Sequence, residues 1–161
     1  MAIADSPIRF EDLSQHIAAM GQALASASAK DLWEDELRPI VIEGQMDNFA
    51  NARSPEGDSW PLRRHHGDPI LDRGRSGIPG HPLLIDTGEL LTSIADQSSA
   101  NHVETVLDRL FQTGTNIPYA HEHEHGIGQA TRSYIGIGDE YIDRMAVKVT
   151  DWAIEIIAGV G

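Results

Sequence analysis

The sequence has no cysteine, which removes disulfides, thiolate metal ligands and thiol nucleophiles together. Cations are scarce as well: 12 Lys and Arg stand against 25 Asp and Glu, a formal net charge of −13. Proteins hold nucleic acid largely through cations that displace phosphate counterions, so no specific nucleic-acid binding is expected. No apolar run approaches the roughly 20 residues that span a bilayer. The opening MAIADSPIRFEDL has neither the basic leader nor the apolar centre of a secretory signal. The expectation is a soluble, unprocessed chain without membrane contact, its acidity keeping free copies apart until specific contacts overcome the repulsion. Aromatics are few, at 6 %, but 40 % of the 161 residues are hydrophobic. That suffices for one domain over 1–161 with a core of its own.

Periodicity divides the chain. Phe10, Leu13, Ile17, Met20 and Leu24 recur at steps of three and four, which predicts a helix over 10–26 with a thin, alanine-flanked apolar stripe. A second helix is expected over 30–52, with Trp33, Leu37, Ile40, Val41 and Phe49 inward and a kink or break at Pro39, whose ring removes a ladder hydrogen bond. Together these make a helical region over 8–53. From Ser54 to Pro82 the periodicity stops, and 29 residues hold five prolines, five glycines, three histidines and four arginines. This predicts an extended arm or loop, since compact domains seldom carry long structureless loops without a function. Arg63, Arg64, Arg73 and Arg75 balance Glu56, Asp58, Asp68 and Asp72, so the arm is neutral and arginine-rich beside an acidic body. A neighbouring copy's body could hold it.

Over 83–161 the pattern is mixed. Asp86 and Glu89 have the spacing of a capping box, with Ile85 and Leu90 as a hydrophobic staple, so a short helix starts there. Val103, Thr105, Leu107 and Phe111 share a parity and predict a strand pair over 103–113, broken near Asp108. Pro118 and Gly126 bracket a short helix. Tyr134, Ile135 and Ile137 suggest a strand. Ile142, Met145, Val149, Trp152 or Ala153, and Ile156 outline a last amphipathic helix, with Asp139 and Glu140 at the positive end of its dipole. The class expected is α+β: N-terminal helices, a long Gly/Pro-rich arm, a small antiparallel sheet with short helices, and a C-terminal amphipathic helix.

His121-Glu122-His123-Glu124-His125 matches the H-E-x-x-H pattern, in which two histidines one turn apart hold zinc and the glutamate is the general base. A small zinc-dependent hydrolase using His121, Glu122 and His125 is therefore the alternative to weigh. Against it, His125 falls at the end of a helix closed by Gly126, where catalytic geometry would be loose. The longer metzincin pattern would place its third ligand on Thr131, and the remaining length leaves little for a substrate cleft. His65-His66, Ser98-Ser99 and Gly136-Ile137-Gly138 are fragments of other site patterns without their context. The reading is no enzyme, no catalytic residue, no metal and no cofactor.

The order of motifs resembles the phage virion morphogenesis family, the tail-completion and head-tail joining proteins of long-tailed phages. The resemblance covers about residues 49–157. It rests on Gly57-Asp58-Ser59-Trp60-Pro61, on Leu83-Leu84-Ile85-Asp86-Thr87-Gly88-Glu89-Leu90 followed by Ser93-Ile94, on Gly114-Thr115-Asn116-Ile117-Pro118-Tyr119-Ala120, and on His123 or His125 with Gly126. Where that family has a proline-alanine-arginine-proline-phenylalanine element, this chain reads Ala130-Thr131-Arg132-Ser133-Tyr134, keeping the arginine, an aromatic and the spacing. The resemblance implies a structural virion protein of tail or neck, assembled in the host cytoplasm. It would form a ring with itself, sixfold to match tail symmetry, and contact other neck or tail proteins. The interaction residues expected are Trp60, Arg63, Arg64, Arg73, Arg75, Tyr119, His123, His125 and Arg132. Gly57, Asp86, Gly88, Glu89, Leu90, Pro118, Ala120 and Gly126 are expected to shape the fold.

Overall fold

The computed structural model describes residues 10–61, 63–65, 68–70, 84–85, 87–128 and 130–160. Among these the chain is α+β. α1 (Phe10–Ser26) is followed by a π-helical stretch (Leu32–Leu37) that runs directly into α2 (Arg38–Asn51). The short strands β1 (Arg63–His65) and β2 (Asp68–Ile70) come next, then α3 (Glu89–Ala95), β3 (His102–Leu107), β4 (Leu110–Thr115), α4 (Ala120–His125) and α5 (Asp139–Ala158). The strands form two separate antiparallel hairpins, β1 with β2 and β3 with β4.

Pro39 disturbs its helix upstream of itself and in an unexpected way. The helix neither breaks nor ends there. It widens into the π stretch, so that the Arg38 amide donates to the Trp33 carbonyl five residues back, and Pro39, which has no amide to offer, falls in the first turn of α2. A local π turn inside a longer helix is a known way to absorb one residue out of register.

The centre of the core is Phe49, Trp60, Leu90, Ile94, Ile117, Ala120 and Tyr134, with Ala52, Leu84, Ile85 and Leu91 against it. Phe49 sits between two rings, edge-on to Trp60 at 5.6 Å and tilted on Tyr134 at 5.3 Å between centroids. These residues come from α2, α3, α4 and the loops between, so the core closes only when distant stretches meet. A smaller apolar contact lies at the other end of the long helix, where Trp33 stacks on Phe111 at 5.3 Å and Leu37 is buried.

α2 also carries a glycine that sequence periodicity ignores. A Cβ on Gly44 would lie 2.7 Å from Ile137 Cγ2 and 3.1 Å from Tyr141 Cδ2; the start of α5 therefore packs on bare backbone. Gly44→Ala should improve helix propensity by about 1 kcal/mol, yet overpacking typically costs 1–3 kcal/mol. We expect the steric effect to win, with a net destabilisation of about 1 kcal/mol read from the urea midpoint.

Three sequence expectations change at the level of local structure. The segment over 134–137 is not a strand; its polar groups are met by side chains instead of a ladder, the Tyr134 and Ile135 amides donating to Glu124 and the Tyr134 carbonyl accepting from Asn48 Nδ2. The hairpin faces are also sorted differently. Val106 pairs with Phe111, and Thr105 with Gln112, so Phe111 shares its face with Val106 while Val103, Thr105 and Leu107 point outward. Finally, Gly88 with φ 79° precedes α3, and the Glu89 carboxylate reaches forward to Asn101 Nδ2 at 3.0 Å. The Glu89 amide donates to Thr87 Oγ1 at 3.3 Å. Asp86, expected as the cap, lies outside the described residues; Leu90 is part of the core and Ile85 packs against that core.

The two-residue turn Asp108-Arg109 fastens the hairpin to α1. The Arg109 guanidinium donates to the Leu24 and Ala25 carbonyls, and Asp108 accepts from the Ser28 hydroxyl and the Ala29 amide. A cation on the last carbonyls of a helix satisfies groups that have no partner within it. Further along β3, Glu104 takes both Nε and Nη2 of Arg38 at 3.0 and 2.7 Å and also accepts from Gln97 Nε2. Only about 15 % of either charged side chain remains exposed, so this pair locks the long helix to the hairpin.

Candidate assembly surfaces

Several of the motif residues serve the interior. Trp60, expected at an interface, is buried: its Nε1 donates to the Ser133 carbonyl at 2.8 Å and its amide to the Ala52 carbonyl at 2.7 Å. The turn that delivers it closes on Ser54 and uses Gly57 at φ 91°, a conformation that favours glycine. Arg132, also expected at an interface, is buried, with Nε on the Pro61 carbonyl at 3.0 Å. Trp60 and Arg132 thus hold residues 53–61 and 130–137 to each other and offer no outer surface. The first residues of the expected arm are accordingly part of the body.

Among the described residues of the remaining arm, β1 and β2 pair with Arg63 opposite Ile70, Arg64 opposite Pro69 and His65 opposite Asp68. Arg63 and Arg64 fall in β1; Arg73 and Arg75 lie outside the described residues.

α4 is pinned from two sides. Ala120 is buried in the core, and Gly126 in the left-handed conformation (φ 69°) ends the helix with its amide on the Glu122 carbonyl. Pro118 lies in the preceding turn, two residues before the helix begins. Within the helix the two glutamates have opposite fates. Glu122 is exposed. Glu124 accepts from the Ser133 hydroxyl at 2.6 Å, the Tyr134 amide at 2.9 Å and the Ile135 amide at 3.2 Å. His123 is half-buried, edge-on to Tyr119, and its carbonyl accepts from the Arg132 amide. His121 and His125 are exposed, with their rings 4.7 Å apart. His125 is the last residue of the helix, and no group of three His, Cys, Asp or Glu side chains able to hold a metal occurs among the described residues. Burial and the nearby Glu124 carboxylate push the Tyr134 hydroxyl well above the ordinary tyrosine range, so this ring is neutral in the folded core.

The outer surface is where apolar side chains accumulate. On α1, Leu13 and Ile17 of the thin apolar stripe face outward, Ile17 being 58 % exposed. On α5 the face turned inward is Tyr141, Met145, Trp152, Ala153, Ile156 and Ile157, while Ile142 and Val149, expected inside, are exposed. Val147 and Ile154, seven residues apart, form a further outward stripe, Ile154 at 58 %. The outer face of β3–β4 adds Val103, Leu107 and Leu110. Charge fixes the mounting of α5: Arg144 grips Glu43 at 3.0 and 2.8 Å, and Lys148 meets Glu36 at 2.6 Å. The Arg144 guanidinium holds the Glu43 carboxyl below its ordinary value. Between these pairs runs a groove of about 360 Å³ lined by Asp35, Glu36, Pro39, Ile40, Arg144, Val147 and Lys148, with none of the α4 histidines near its walls. No described helix is long and apolar enough to cross a membrane.

No protein family, no curated protein and no solved structure matches this chain.

Proposed function

We propose that this chain is a non-enzymatic structural subunit of a tailed-phage virion, which completes the tail or joins it to the head by assembling with copies of itself into a ring. The observation that carries the reading is the apolar surface left outside α1, α5 and the β3–β4 hairpin. Nine large apolar side chains stand at least 38 % exposed on these three elements, and apolar surface of this kind is suited to contact with another molecule. Two chemically different faces, a helical one and a sheet one, suit heterologous contacts that close head to tail. The order of motifs supports the same reading, because Trp60, Leu90, Ile117, Ala120 and Tyr134 bring four of them into one core. Carboxylates on the body and arginines on the arm would then steer copies together, and the acidic wall of such a ring would not hold DNA. Other neck or tail proteins would be the further partners, with assembly in the host cytoplasm.

The zinc-hydrolase alternative is weaker. It needs Glu122 beside a three-ligand ion, and Glu124, the other carboxylate on α4, is already committed to three hydrogen bonds.

Light scattering on the purified chain tests the proposal. We expect a closed oligomer of several copies, reduced to monomer in the double variant Ile17→Glu, Ile154→Glu with an unchanged circular dichroism spectrum. A chain that stays monomeric at every concentration, or an oligomer indifferent to these two charges, would contradict it.

A further inference from the structure

We propose that His121 and His125 form a two-histidine chelate for a borderline divalent transition ion such as Zn²⁺, Ni²⁺ or Cu²⁺, a site with no catalytic role and independent of ring assembly. Residues four apart on a helix stack on one face, and here both rings are exposed with centroids 4.7 Å apart. Two imidazole nitrogens each about 2.1 Å from a tetrahedral ion lie roughly 3.3 Å apart, a span these rings reach by small rotations of exposed side chains.

Two further features favour the site. The backbone beneath it is fixed, by Ala120 in the core, by the Gly126 cap and by the three hydrogen bonds to Glu124, so little ordering is needed when the ion binds. The protein's net charge of −13 raises the cation concentration around it.

The neighbours define what the site takes. His123 is turned toward Tyr119 and Glu124 toward Ser133, so neither joins the chelate, and water fills the remaining positions. Imidazole ligands select Zn²⁺, Ni²⁺ and Cu²⁺ over Ca²⁺ and Mg²⁺, which prefer oxygen. With two protein ligands the affinity belongs well below that of four-ligand structural zinc sites, and Cu²⁺ should bind more tightly than Ni²⁺ or Zn²⁺.

The test is calorimetric titration of the full chain, without an affinity tag, with zinc chloride and with nickel chloride near neutral pH. We expect one ion per chain and at least a tenfold loss of affinity in His121→Ala and in His125→Ala. The double variant His65→Ala, His66→Ala should bind as the parent does, and excess Ca²⁺ should not compete. On the unmutated chain, Zn²⁺ should protect His121 and His125 from diethyl pyrocarbonate while leaving other exposed histidines reactive. Absence of saturable binding, binding unchanged in both α4 variants, or protection of a different histidine pair would each overturn the proposal. None of these outcomes bears on whether the chain forms a ring, which light scattering reads separately.

Discussion

Glu124→Ala should destabilise the protein severely while Glu122→Ala, two residues away on the same helix, should leave stability almost unchanged. The difference is one of partners. Glu122 is exposed, and surface substitutions usually stay within about 0.5 kcal/mol. Glu124 receives the amides of Tyr134 and Ile135 and the hydroxyl of Ser133. Tyr134 has no exposed surface, so water cannot replace the lost acceptor at its amide. Buried donors stripped of a charged acceptor cost roughly 1–3 kcal/mol each, so the expected loss is about 2–4 kcal/mol. That corresponds to a fall in the urea midpoint of roughly 1–2 M for a chain of this size. A zinc hydrolase predicts the reverse emphasis, because its general base would be Glu122. Equal and small effects at both positions would show that the strap over 133–135 is held by something other than Glu124.

Deleting residues 67–80 should leave a folded monomer and abolish the ring. The core residues Phe49, Trp60, Leu90, Ile94, Ile117, Ala120 and Tyr134 all lie outside the deletion, as do the anchors Glu124, Arg132 and Glu104. What goes is β2 together with Arg73 and Arg75. Circular dichroism should show the helical signal retained, and light scattering should report the mass of a single chain. An intact oligomer after the deletion would shift the assembly contact from the arm to the apolar faces of α1, α5 and β3–β4, which the Ile17 and Ile154 charges probe on their own.

Patterns that depend on neighbours along the chain were legible in the sequence. The three-and-four spacing from Phe10 to Leu24 matched α1 to its ends, and Gly126 closed α4 as its position suggested. The α+β class followed from the same local signals. Patterns that depend on what lies opposite were not legible. Trp60 and Arg132 carry the chemistry of an interface, and only the fold shows that a carbonyl of the same chain takes each of them. Tyr134, Ile135 and Ile137 have strand-like side chains, yet no neighbouring strand meets them; a glutamate from α4 does. The spacing on α1 shows a thin apolar stripe, but only the fold shows that Leu13 and Ile17 of that stripe remain outside. Glu104, Gly44 and Glu124 gave no signal at all, since each matters through a partner more than a few residues distant in sequence.

The π-helical stretch has a consequence for how one continuous helix meets two different neighbours. Each residue advances an α-helix by about 100°, so the residue absorbed before Pro39 turns everything upstream by that angle relative to everything downstream. Trp33 is thereby aimed at Phe111 on the hairpin, and Phe49 at Trp60 and Tyr134. In a uniform α-helix the sixteen steps from Trp33 to Phe49 would set the two rings about 160° apart, nearly back to back, whereas with one residue absorbed the offset falls to about 60°. The widened turn thus brings both aromatics round to one side of the rod, where the hairpin meets the first and the main core the second.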